Sequence, residues 1–153
     1  MNLSKNLTLD EVTSSSTADR LHIRNDNMSN ETLENLKAIA INVFQPARDI
    51  LGPIRVSSGY RSPELNKAIG GAQNSQHSVG EALDLQGIRS SNNELFHFIK
   101  DNLIFDQLIW EFGSNSNPDW VHVSYRRGGG NRNQILISVK ENGKTGYKRW
   151  PSV

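Results

Sequence analysis

Trp120-Val121-His122-Val123-Ser124-Tyr125 alternates in character along its length, the period of a strand with one buried face. Behind it, Gly128-Gly129-Gly130 reads as a loop. Residues 134–139 and 147–150 then read as two strands joined around Asn142-Gly143 or Gly146, a hairpin. Ahead of it, residues 107–112 and Ala82-Leu83-Asp84-Leu85 read as further strands. Between those two, Leu95, Phe96, Ile99 and Leu103 recur at helical spacing over residues 92–102.

Working outward to the amino end, a cap at Ser29 leads into Leu33, Leu36, Ile39, Ala40, Val43, Ala47 and Ile50, one apolar helical stripe. Pro46 is expected to kink or end that helix. Ile54-Arg55-Val56 is a short strand candidate, and Ser62-Pro63-Glu64 opens a short helix that Gly70-Gly71 closes. Helices come early and strands cluster late. The order predicts an α+β domain, N-terminal helices packed on a mainly antiparallel sheet, rather than a doubly wound fold. We place this domain at residues 29–153. Residues 1–28 read as a polar, irregular arm with a turn or cap at Ser14-Ser15-Ser16-Thr17, whose few apolar side chains promise only local docking.

With 153 residues, 35% hydrophobic and 22% charged, the chain has the size and composition of one soluble domain, and no internal repeat is visible. A formal charge of +1 gives no broad electrostatic argument for nucleic acid or membrane partners. No run approaches the roughly 18 apolar residues of a membrane span, and Met1 to Asn6 lack the apolar core of a signal peptide. The expectation is a monomer made in the cytoplasm without a recognisable export signal. Cysteine is absent, which excludes disulfides, thiolate metal sites and cysteine nucleophiles together. Any metal must be held by His, Asp or Glu.

Three such residues stand out. In Ser75-Gln76-His77-Ser78-Val79-Gly80-Glu81-Ala82-Leu83-Asp84, a turn at Gly80 can fold His77 toward Asp84, and His122 sits on a separate strand between Val121 and Val123. Two imidazoles and a carboxylate are a usable ligand set for a catalytic zinc, which needs three protein ligands and an open position for water. Peptide hydrolysis also needs a carboxylate to carry a proton, and Asp119, just after Pro118 and three residues before His122, is the candidate; capping a turn is its bland alternative. Arg61 can stabilise an oxyanion or grip a substrate carboxylate, or serve as an ordinary ion-pair partner.

Ser58-Gly59-Tyr60-Arg61-Ser62, the Ser-x-His-x-x-Gly-x-Ala-x-Asp pattern from Ser75 to Asp84, and Asp119-Trp120-Val121-His122 together resemble the zinc D-alanyl-D-alanine carboxypeptidases and L-alanyl-D-glutamate endopeptidases. The likeness spans about residues 30–126. It implies hydrolysis of peptidoglycan stem peptides, Zn2+ held by His77, Asp84 and His122, Asp119 as general base, Arg61 on the transition state or substrate, and Ser75 in support. Many members carry glutamate where this chain has Asp119. The compact layout resembles phage-encoded members that reach the wall after phage-mediated release or as part of a virion.

Trp110, Trp120 and Tyr125 are candidates to line the cleft, with burial in the core as the alternative. Glu111 is a candidate to orient a zinc-bound histidine from behind. His22 and His97 are expected to face solvent, and Arg126-Arg127 with Lys148-Arg149 form a modest basic rim. The competing function is a non-catalytic, metal-stapled binding or structural module. A magnesium nuclease is disfavoured, because such sites usually cluster carboxylates around the ion and this chain lacks a strong basic track.

Overall fold

The computed structural model describes residues 1–151. Ser29 starts the first long helix by accepting the Thr32 N–H on its hydroxyl, and α3 runs over Asn30–Ile39. A π-helical turn at Ala40–Phe44 carries the chain directly into α4, Gln45–Leu51. That turn is how Pro46 is accommodated. A proline has no N–H to give and its ring crowds the carbonyl four residues back, and the wider π register absorbs both defects, so the helix is neither ended nor broken. The stripe from Leu36 to Ala47 is buried as the spacing requires, whereas Ile50 at its end is exposed.

Six strands form the main sheet: β3 (Ile54–Ser58), β4 (Ala82–Gly87), β5 (Gln107–Glu111), β6 (Trp120–Ser124), β7 (Gln134–Glu141) and β8 (Lys144–Arg149). Their spatial order is β3-β4-β6-β5-β7-β8, antiparallel throughout except for the parallel pair β5 and β7. Asn142 and Gly143 both have positive φ, the conformation that a two-residue hairpin turn between β7 and β8 demands. The shorter helices are α5 (Pro63–Ala68) and α6 (Asn92–Asn102), the latter opened by a reciprocal cap between Ser91 and Glu94.

One face of the sheet is covered. Leu83 and Leu85 of β4, Leu108 and Trp110 of β5, and Val121 and Val123 of β6 pack against Leu36, Ile39, Val43, Phe44, Leu95, Phe96 and Ile99 from the helices. Each such buried side chain stabilises the fold by about 1.5–3 kcal/mol. The result is an α+β domain with a mainly antiparallel sheet, as the element order predicts. Among the described residues, no helix is long and apolar enough to cross a membrane.

The amino-terminal stretch differs from its polar, irregular reading. It contains β1 (Asn2–Ser4), β2 (Leu7–Thr8), α1 (Leu9–Thr13) and α2 (Ser16–Leu21). Leu3, Leu7 and Val12 belong to the same core cluster as the sheet, so their docking is not local. Buried Asn25 ties the stretch down with polar bonds: its amide N donates to the carbonyls of Thr13 and Tyr60, and its Oδ1 accepts the Ser62 N–H at 2.7 Å. At the other end of the chain, the last two residues of the 29–153 reading lie outside the described residues.

Candidate metal centre and cleft

Strand register assembles the site. Asp84 lies opposite His122 across β4 and β6, Ser58 opposite Asp84 across β3 and β4, and Ile109 opposite His122 across β5 and β6. Residues directly opposite one another share a face, and so do residues two apart along a strand. Trp120 and Glu111, themselves a cross-strand pair, therefore share the face of Asp84 and His122, away from the helices. His77 comes from outside the sheet, on a 3₁₀ turn at Gln76–Val79 whose start is capped by the Ser75 hydroxyl accepting the His77 N–H at 3.2 Å. Gly80 ends that turn at φ +77°, and a Cβ there would sit 2.5 Å from the Thr32 carbonyl oxygen, so glycine is required twice over.

His77 Nδ1 donates to the Gly59 carbonyl at 2.8 Å. A carbonyl only accepts, so Nδ1 carries the proton and Nε2 presents its lone pair. That Nε2 lies 3.4 Å from Asp84 Oδ1, and His122 Nδ1 lies 3.0 Å from the same oxygen. One potential ligand atom from each of the three residues falls within 4.8 Å of the others. Ligands held about 2.0–2.1 Å from a tetrahedral zinc are about 3.3 Å apart, so the set matches that ion in donor type and in spacing. Burial lowers the His77 pKa and favours the neutral imidazole that a metal needs. Burial works against the Asp84 carboxylate, but the two imidazoles beside it prevail and hold it below the usual carboxylate range. Arg61 completes the cluster: Nε donates to Ser58 Oγ at 3.2 Å and Nη2 to Asp84 Oδ2 at 3.4 Å.

A model of the family Peptidase M15 matches residues 5–124. The chain belongs to the Peptidase M15 family. This family is zinc-dependent, and His77, Asp84 and His122 are the residues of this M15 metallopeptidase that fit the ion. No curated protein matches the chain. The match begins within the stretch read as an arm and ends at the close of β6.

The M15 cluster lies in a cavity of about 630 Å³ that is also lined by Ser75, Glu111, Phe112, Trp120 and Tyr147. A groove of similar size along the outer edge of β3 shares Arg61 with it but holds none of the three ligands. Asp119 is exposed and does not line the cavity; its backbone N–H donates to the Glu111 carbonyl, and its own carbonyl accepts from Gln86 and Asn92. Trp110 lies on the covered face, edge-on to Phe96 and stacked on Trp150. Tyr125 is partly buried against the core and also outside the cavity. His22 is exposed, while His97 differs from expectation, being partly buried between Trp110 and Trp150.

Glu111 is the functional candidate whose position the sequence reading leaves least defined. It is 6% exposed, and burial raises its pKa, partly offset by the Ser138 hydroxyl and by His122. Period-two alternation, carried from His122 across to the neighbouring strand, was the signal that could have placed it. Phe112 and Tyr147 had no comparable signal, since the first follows the end of β5 at positive φ and the second lies on a hairpin strand distant in sequence.

Proposed function

We propose that the protein hydrolyses peptide bonds in bacterial peptidoglycan stem peptides, as a D-alanyl-D-alanine carboxypeptidase or L-alanyl-D-glutamate endopeptidase. The observation that carries this reading is the meeting of His77 Nε2, Asp84 Oδ1 and His122 Nδ1 on the open face of the sheet of an M15 chain. Among the described residues no fourth His, Cys, Asp or Glu joins that group, which favours a catalytic site over a structural staple. A setting in phage lysis or on a virion is supported by the sequence resemblance alone.

A bound zinc ion would polarise the scissile carbonyl and acidify water. The chain's own residues do the rest. Gly59 fixes the His77 ring, and Ser75 fixes the turn that carries it. Arg61 sits where a guanidinium can meet an oxyanion or a substrate carboxylate. As water adds to the carbonyl carbon, a carboxylate must take its proton and pass it to the amine nitrogen when the C–N bond breaks. Resemblance assigns that task to Asp119, three residues before His122, and Glu111, which lines the cavity with the ligands, is the second carboxylate that can take it.

The test is digestion of purified peptidoglycan with the released fragments weighed by mass spectrometry, beside zinc content by elemental analysis. One zinc per chain and cleavage within the stem peptide are expected, both lost in His122→Ala and after chelation. Full activity after complete zinc removal would reject the reading.

A further inference from the structure

The cavity has a second charged end, away from the ligand triad. Asp106, at the entry to β5, is fully buried, and nothing in the metal centre uses it. Its carboxylate accepts from Arg132 Nε at 2.9 Å, Arg132 Nη2 at 2.8 Å, the Arg132 backbone N–H at 3.1 Å and Gln76 Nε2 at 3.1 Å. Arg126 Nε lies 3.2 Å from the same group. Burial alone would raise the Asp106 pKa, but these donors hold it at about 2, so it is ionised at any physiological pH.

Two guanidiniums thus share one carboxylate, and the cluster keeps a net positive charge. Arg132, with its two-pronged grip, already satisfies Asp106. Arg126 adds a charge that Asp106 does not need, and its terminal nitrogens have no protein acceptor among the described residues. The arginine side chains are 43% and 46% exposed, and both line the cavity that holds His77 and His122. Their backbone is pinned: the Arg126 N–H donates to Asn131 Oδ1 at 2.8 Å, and Asn131 Nδ2 returns a bond to the Arg126 carbonyl at 3.1 Å. Gln76 links the cluster to the turn that carries His77. Donors fixed before a ligand arrives lose little freedom when it binds.

We propose that Arg126 and Arg132 form a subsite for a free carboxylate of the peptide substrate, with Arg126 making the principal contact. The proposal rests on the peptidase reading for the identity of the peptide. A stem peptide offers such a group at its C-terminus and at the α-carboxylate of its γ-linked glutamate. Both arginines lie beyond residue 124, where the family match ends, so this recognition belongs to the chain's own carboxy-terminal part.

Three synthetic stem pentapeptides decide the matter: unmodified, C-terminally amidated, and amidated at the glutamate α-carboxylate. Each is assayed for cleavage and for calorimetric binding with zinc-loaded wild-type protein, Arg126→Gln and Arg126→Lys, all checked for folding by circular dichroism. Arg132 is retained because its loss would strip Asp106. In the wild type, one of the amides should bind about tenfold more weakly than the acid, which identifies the carboxylate. Arg126→Gln should weaken the acid by the same factor, leave that amide unaffected and keep kcat within about twofold, and Arg126→Lys should recover part of the loss. Equal treatment of all three peptides by the wild type, or equal weakening of all three by Arg126→Gln, would overturn the subsite. If zinc-loaded wild type cleaves none of them, the peptidase reading fails, and the calorimetric arm still decides the subsite.

Discussion

The two faces of the sheet are made by the same strands and do opposite work. On β4, Leu83 and Leu85 point into the core while Asp84 points out; on β6, Val121 and Val123 alternate with His122; on β5, Leu108 and Trp110 alternate with Glu111. The covered face is uniform and apolar, so any of its residues is one contributor among many. The open face places two histidines and two carboxylates in one cavity, where few side chains share the surroundings of any one of them. A single backbone period thus separates stability from chemistry, and substitutions one residue apart should have unrelated effects.

Glu111→Gln tests that separation most sharply. Paired with Asp119→Asn, it separates the two candidate carboxylates: loss of the proton carrier should lower kcat by about 10²–10⁴-fold while zinc content stays unchanged, and loss of the other should leave kcat within about tenfold, both read by single-peptide kinetics beside elemental analysis. Because burial raises the Glu111 pKa, holding it ionised in the fold opposes stability once the pH exceeds its folded value. The Gln variant should therefore melt higher than wild type at pH 8, and that gain should vanish below about pH 4, where the wild-type carboxyl is protonated in both states. Loss of zinc in Glu111→Gln would mean that the two faces are not so cleanly divided.

On the covered side, Leu83→Ala should destabilise by about 2–5 kcal/mol in denaturant titrations, with zinc stoichiometry and kcat retained where the protein is folded. A smaller effect is expected at Asp106, which belongs to neither face. Its folded pKa is below the ordinary carboxylate value, so the stability it supplies is present above about pH 4 and is lost as the pH falls toward 2. Asp106→Asn should cost roughly 1–2 kcal/mol at pH 7, the difference from wild type shrinking across that interval when melting is followed against pH.

Much of this was legible in the residues. Alternation in Trp120 to Tyr125 and the spacing of Leu36 to Ala47 gave strand and helix their correct identities, because both patterns report which side is buried. The Ser75 to Asp84 pattern pointed to a ligand pair that the structure brings within reach of His122. Asp119 rests on its place before His122 and on the Asp119-Trp120-Val121-His122 resemblance, with turn capping as its alternative; the structure shows it exposed, just ahead of the first residue of β6. For Trp110 the residues leave cleft and core both open, and its two-residue step from Leu108 on β5 puts it on the covered face. The amino-terminal stretch departs from its polar reading for another reason: Val12 and Asn25 act through contacts with residues 58–62, and polar composition carries no record of such long-range partners.

At Gly59 the amino-terminal stretch and the metal centre meet. A methyl group there would meet the Val12 carbonyl oxygen at 2.4 Å, the Tyr60 N–H donates to that same oxygen at 2.7 Å, and the Gly59 carbonyl holds the His77 ring. The amino-terminal wrap is therefore the buckle that keeps an imidazole aimed. A protease nick or a tether that peels the wrap away would let that ring swivel, dimming the enzyme from a distance without touching a single ligand.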